Sequence, residues 1–251
     1  MRTDVLETSE DAVLGGRLRL RQPLAGHRVG HDAILLAAAT SGRAGERAVD
    51  LGAGVGGAGL ALAVRVPGLK VTLVEIDAAL CALAAGNARL NRLNDRVDVL
   101  NADVEDIAAF PSGGADRVLM NPPFHDATRQ NVSPDPRRRL AHAAAPGLLP
   151  RWIAGAARLL KPRGVLTLIW RADALAELQR ALTAEFGGIA VLPVYPRPDA
   201  PAIRVLVRAA KSGGGAGLTY PGLILNDRHN KPTAAAEAVL RGGATLDITE
   251  T

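Results

Sequence analysis

A chain of 251 residues with 48% hydrophobic and 22% charged residues is long enough for one sizeable buried core and a tight fit for two full domains. Its longest apolar run, Ala33 to Ala39, falls well short of the roughly 18 residues of a membrane span; the polar opening MRTDVLETSEDAV has no apolar signal core, which predicts a cytoplasmic protein. The net charge of +5 and pI near 10 permit a nucleic-acid partner without establishing one, and the single Cys81 excludes an internal disulfide and a cysteine metal cluster.

In chain order, GGRLRLRQPL predicts a strand with Arg17, Arg19 and Arg21 on one face and Leu18 and Leu20 on the other. That face is either a solvated basic edge or part of a nucleic-acid footprint. Asp32 is placed to cap a helix over Ala33 to Ala39. Arg47 to Leu51 then reads as a strand, AGLALAVRV as a helix, KVTLVEID as a strand, DAALCALAAGNARLN as a helix, and VDVLNAD and ADRVLMN as two further strands. After a loop, LLPRWIAGAARLLKP predicts a helix, GVLTLIW a strand and ALAELQRALTAEF a helix. Such alternation of helices with near-continuously apolar strands indicates an α/β fold, a mostly parallel sheet with helices on both faces. IAVLPVYP and AIRVLVRAA are joined only by RPDAP, too short for a crossover helix, so they pair antiparallel. The organisation expected is an N-terminal strand and helix extension over 1–40, a core over 41–211, and a tail over 212–251 whose pattern does not specify a structure.

VDLGAGVGGAG places Gly52, Gly54 and Gly57 as G-x-G-x-x-G between a strand and a helix, where glycine permits a tight turn and a close ligand. The next strand ends in Glu75, positioned to accept hydrogen bonds from ribose hydroxyls. Both features suit a dinucleotide enzyme and an S-adenosylmethionine (SAM) enzyme equally. Asp103 in NADVED, just after the third strand of the core, can accept from an adenine amine or cap the segment beginning at Val104. Asp50, ahead of the glycines, orients a cofactor amino group or braces the turn.

NPPF follows the fourth strand of the core, so Asn121 stands at its carboxyl end, where open α/β sheets bind ligands. Pro122 and Pro123 stiffen the loop and bias Asn121 toward an extended conformation. The Asn121 side-chain carbonyl and the Pro122 main-chain carbonyl then form a fixed acceptor pair, matched to a planar NH2 group. Accepting both protons frees the nitrogen lone pair and stabilises the charge that develops as it is methylated. Phe124 can stack on a planar base.

Together VDLGAGVGG, Glu75, NAD and NPPF resemble the motifs of class I SAM-dependent methyltransferases acting on amino nitrogens. GHRVGHDAILLAAA and LAHAAAPGLLPRWIAGAARLLKPRG look more specifically like the bacterial family that methylates adenine N6 of valine tRNA beside the anticodon. The resemblance covers about residues 8 to 208. It implies a Rossmann-like, seven-stranded sheet ending in the antiparallel hairpin, SAM held around Asp50, Gly52, Gly54, Glu75, Asp103, Val104 and Asn121, and Gly30 and Asp32 of the extension near its methionine end. The target adenine is expected to be flipped against Asn121, Pro122, Pro123 and Phe124. The family more often has tyrosine after the prolines; Phe124 followed by His125 also resembles ribosomal RNA guanine-N2 methyltransferases, although those usually carry a second, duplicated domain.

Arg137, Arg138 and Arg139, with His125 and His142, lie in the segment after NPPF and are candidates for RNA contact alongside Arg17 and Arg19; the histidines are too few for a metal site. Competing functions are methylation of a release-factor glutamine, a SAM-binding RNA chaperone with no need of Asn121, and a nicotinamide dehydrogenase, which leaves NPPF unexplained.

Overall fold

The structure, a computed structural model, describes residues 7–25, 28–109, 112–123, 147–215 and 217–248. Its first two strands, β1 (Thr8–Val13) and β2 (Leu18–Pro23), pair antiparallel as a hairpin separate from the main sheet. Alternation in β2 buries Leu18 and Leu20 and exposes Arg19 and Arg21. Arg17 lies outside the strand: it ends the 3-10 turn Leu14–Gly16 in a helical conformation, and its Nη1 donates to the Gly242 carbonyl at 3.5 Å. The expected three-arginine face therefore holds two, and both ion-pair with Glu10 on β1.

Helix α1 (His31–Ala39) leads to β3 (Arg47–Leu51), α2 (Gly57–Arg65), β4 (Lys70–Glu75), α3 (Ala78–Leu90), β5 (Val97–Asn101) and β6 (Ala115–Met120). Then come α4 (Leu148–Leu159), β7 (Leu160–Arg171), α5 (Leu175–Leu182), β8 (Phe186–Tyr195) and β9 (Arg204–Lys211). The seven long strands run in the order β8-β9-β7-β6-β3-β4-β5, with the last five parallel and β9 inserted antiparallel between β7 and β8. This is the mostly parallel sheet with an antiparallel hairpin that the alternation of helices and strands predicts. None of the described helices is long and apolar enough to cross a membrane.

Strands buried on both faces require apolar side chains on both. Ala48, Leu73 and Leu119 face a core shared with α1, α2 and α3; Leu51, Val74, Val118 and Met120 face a second core shared with α4 and α5. Helix α1 starts one residue ahead of Asp32. Gly30, extended at φ −111°, is the N-cap, and Asp32 in the first turn accepts from Arg204 Nε of β9 at 2.9 Å. The expected cap is thus displaced, because the Asp32 carboxylate is drawn sideways to a cation, from where its charge still suits the helix N-terminus.

The tail contains β10 (Leu218–Thr219) and β11 (Leu223–Ile224), which add parallel to the outer edge of β8, and α6 (Ala234–Leu240), which packs on α1. Val239 and Ile248 are buried in the first core. Arg65 at the end of α2 fastens this return, donating to the carbonyls of Ala244 at 2.7 Å and Val239 at 2.8 Å. Arg65→Met keeps the alkyl packing and removes both bonds. It should cost about 2 kcal/mol and lower the melting temperature by roughly 4–8 °C; an unchanged circular-dichroism melt would show that the tail does not depend on this arginine.

Candidate active site

Sheet register builds the site. Leu51 pairs with Val74 on one side and with Met120 on the other, so the next residues, Gly52, Glu75 and Asn121, leave three adjacent strands at one level. Glu75 in turn pairs with Asn101 on β5, with Asp103 two residues further on.

The glycines of the turn serve different ends. Gly52 has φ +69°, and a Cβ there would lie 2.6 Å from Trp152 Cη2, so this position is closed by packing from α4. Gly54 has φ +58° but a Cβ would meet nothing within 4 Å, so its bare backbone faces open space. Gly30 likewise faces open space, whereas Gly57 is pressed against Val29, whose Cγ2 would be 2.6 Å from an added Cβ. The sequence spacing marks Gly52, Gly54 and Gly57 alike; of the three only Gly54, together with Gly30 outside that motif, leaves room for a ligand.

Glu75 is 8% exposed. Its Oε2 accepts from Gly54 N at 2.8 Å and its Oε1 from Asp77 N at 2.9 Å, which ties the acid to the turn and leaves lone pairs for further donors. Asn101 Nδ2 donates to the Glu75 and Ile76 carbonyls at 3.0 and 2.9 Å, fixing the chain as it leaves β4. Ile76 is 57% exposed, a large apolar side chain beside an acid at the ligand edge. Sequence reading passed over it because a single exposed isoleucine after a strand has no periodic signature.

Asp103 accepts from Glu105 N through Oδ1 at 2.8 Å and so caps the segment that follows, while the described residues give its Oδ2 no partner. The Val104 side chain is buried in the second core; only its main chain lies along the edge. Asp50 is 2% exposed and accepts from Gly59 N in α2 at 2.7 Å. Of the two roles open to it in the sequence, the brace is the one its contacts display. Burial pushes its carboxyl up to about 7, the Gly59 N–H opposing and the nearby Glu75 charge assisting.

Asn121 follows β6 directly, with its Oδ1 buried and without a hydrogen-bond partner among the described residues. Pro122 is buried and Pro123 half-buried. A buried, unpaired carbonyl is costly unless something donates to it, and here it stands level with Gly52 and Glu75. Phe124, His125, Arg137, Arg138, Arg139 and His142 lie outside the described residues. The described residues contain no group of three or more side chains suited to a metal.

A polar clasp was missed altogether in the sequence. Gln22, 2% exposed, accepts from Val29 N at 2.7 Å and donates to Asp11 at 2.8 Å; Arg28 pairs with the same Asp11 and donates to the Pro23 carbonyl at 3.1 Å. It holds Val29 and Gly30 beside the start of α2. The only sequence signal was an amide among apolar neighbours.

A family model described as the methyltransferase small domain matches residues 26–194. A tRNA1(Val) (adenine(37)-N6)-methyltransferase of Porphyromonas gingivalis is 32% identical over 159 residues, 61% of this chain and 62% of that protein, so the chain spans about three-fifths of that relative's length. A protein of the same description from Trichodesmium erythraeum is 30% identical over 199 residues, 76% of this chain and 81% of that protein. Among solved structures, one from Agrobacterium tumefaciens, described as a predicted O-methyltransferase, matches with a TM-score of 0.72 at 30% identity, over 86% of this chain and 98% of that one.

Two consequences can be measured. Gly54→Ala should cost about 1–2 kcal/mol from its positive φ alone, and Gly52→Ala roughly 1–3 kcal/mol more by displacing Trp152; equal urea midpoints would contradict the distinction between the two glycines. Asp50 ionises near 3.8 when exposed and about 7 when folded, so the folded protein holds the extra proton between those values. Stability from this group therefore falls as pH rises from 4 to 7, and the penalty is complete above 7. The melting temperature of Asp50→Asn relative to the native chain should rise between pH 5 and pH 8, and a constant difference would refute the burial effect.

Proposed function

The chain belongs to the methyltransferase small domain family, and we propose that it transfers a methyl group from SAM to the exocyclic N6 amine of an adenine in tRNA. The observation that carries this reading is the buried, unpartnered Oδ1 of Asn121, level with the glycine turn and Glu75. The residues present fit the cofactor: the backbone at Gly54 is open to a close ligand, Glu75 retains lone pairs for ribose hydroxyls, Ile76 offers an apolar face and Asp103 a carboxylate oxygen for an adenine amine. Bound there, SAM supplies an electrophilic methyl group on a sulfonium.

Asn121 Oδ1 and the Pro122 carbonyl accept the two protons of the substrate amine, which localises the nitrogen lone pair. The same carbonyls would stabilise the positive charge on that nitrogen as its bond to the methyl carbon forms and the carbon–sulfur bond breaks, the electron pair going to sulfur to leave a neutral thioether; one proton would leave the nitrogen afterwards to solvent. Two acceptors match an NH2 group; a hydroxyl would leave one of them unpaired. Phe124 stacks on the base, and Arg19 with Arg137 to Arg139 contact phosphates. Adenine in tRNA is supported by the two relatives named for that activity, and a tRNA substrate places the work in the cytoplasm.

The test is incubation of the purified protein with labelled SAM and total RNA from a strain lacking the gene, followed by nucleoside analysis. N6-methyladenosine in the tRNA fraction is expected. N2-methylguanosine in ribosomal RNA, or label in a protein glutamine, would reassign the target. Asn121→Ala should lower the methylation rate by about 10²–10³ while the SAM dissociation constant stays within about twofold; full activity in that variant would overturn the mechanism.

A further inference from the structure

Helix α3 and its C-cap carry two asparagines one turn apart, Asn87 and Asn91, on the side that meets the N-terminal hairpin. Asn91 Oδ1 accepts from Arg19 N at 2.9 Å and its Nδ2 donates to Arg19 O at 2.7 Å. Asn87 repeats the pair on Arg21, accepting from its N at 2.7 Å and donating to its O at 3.0 Å. Each amide thus offers β2 the donor and acceptor of a neighbouring strand. The spacing fits: four residues of helix rise about 6 Å and two residues of strand about 6.8 Å.

Asn87 does one thing more. Its Nδ2 also donates, at 3.0 Å, to the carbonyl of Val55 in the middle of the glycine turn. The side chain is fully buried, and all three of its bonds are to main chain. An aspartate of the same shape could accept from Arg21 N but would present a carboxylate to two carbonyls. Beyond the turn, Gly57 is closed against Val29, which Gln22 of the same strand holds in place.

Resting on the SAM reading above, we infer that Asn87 is a positioning residue for cofactor binding: its one buried amide fixes the glycine turn and the N-terminal hairpin against α3. The open backbone at Gly54, in the turn, and the open backbone at Gly30, which follows the hairpin, are thereby held in one frame. The hairpin contributes to cofactor affinity through this amide and not through contact with the reacting atoms.

The two asparagines supply the control, since both hold the hairpin but only Asn87 reaches the turn. Titration calorimetry with SAM on the full chain should give Asn87→Asp an affinity at least tenfold weaker than native, with kcat at saturating SAM within about twofold. Asn91→Asp should bind SAM within about twofold of native although its melting temperature also falls. Equal SAM affinity in folded Asn87→Asp and Asn91→Asp would overturn the inference, leaving Asn87 as a structural tie. Should Asn87→Asp not fold, hydrogen exchange of the native chain decides: SAM is expected to slow exchange at residues 19–22 and 28–30 together with 52–57, and slowing confined to 52–57 would overturn it. A native chain that binds no SAM would instead remove the functional reading itself, before either variant is compared.

Discussion

Everything at the active edge depends on the register of three parallel strands. Val74 and Met120 flank Leu51, so a slip of one residue in β4 or β6 would turn Glu75 or Asn121 to the opposite face of the sheet. What prevents the slip is burial on both faces: Leu51, Val74 and Met120 fill one core while Ala48, Leu73 and Leu119 fill the other. A slip would exchange those two sets at once. The precision of a site built from an amide, an acid and a turn is therefore borrowed from apolar packing beneath it.

On that edge two side-chain carboxylates reinforce the backbone's own hydrogen bonds. Glu75 takes N–H groups from Gly54 and Asp77, and Asp50 takes one from Gly59. A turn with three left-handed glycines, Gly52, Gly54 and Gly56, has little conformational preference of its own, so external acceptors must choose its shape. The cost falls on Asp50, which is buried so deeply that its ionisation moves toward neutrality. Glu75 keeps slight exposure, as a group with spare lone pairs for a ligand must.

Long elements were legible in the sequence because period and length reinforce each other, although the helices read over LLPRWIAGAARLLKP and ALAELQRALTAEF end early, their last residues entering β7 and β8. The glycine turn and Asn121 were legible because their chemistry is local to a few residues. β10 and β11 were not, being two residues each whose strand partner is β8, far back along the chain. Arg17 and Asp32 were misplaced for a related reason: alternation and capping rules assign them to the nearest element, whereas their partners, Gly242 and Arg204, lie far along the chain. Asn87 carried no local signal whatever, since its bonds are to main-chain atoms of Arg21 and Val55, and any sequence could have supplied those.

Helix α3 contacts both the segment around Glu75 and the glycine turn. At its start, Asp77 caps it and donates its own N–H to Glu75, and Cys81 donates to the Glu75 carbonyl at 3.2 Å. Nine residues on from Ala78, or about 14 Å along the axis, Asn87 holds Val55 and Arg21. Cys81, Ala84, Asn87 and Ala88 form the buried face of this helix, so α3 adds a second tie between the acid and the turn beside the pairing of β3 with β4. The hairpin needs this strut most. Among the described residues it shares no backbone hydrogen-bond ladder with the main sheet, and without the two amides the edge of β2 would present unpaired N–H and C=O groups. Fastening that edge with side chains of α3 closes it, while Gln22 of the same strand holds Val29, which packs against Gly57 at the end of the glycine turn.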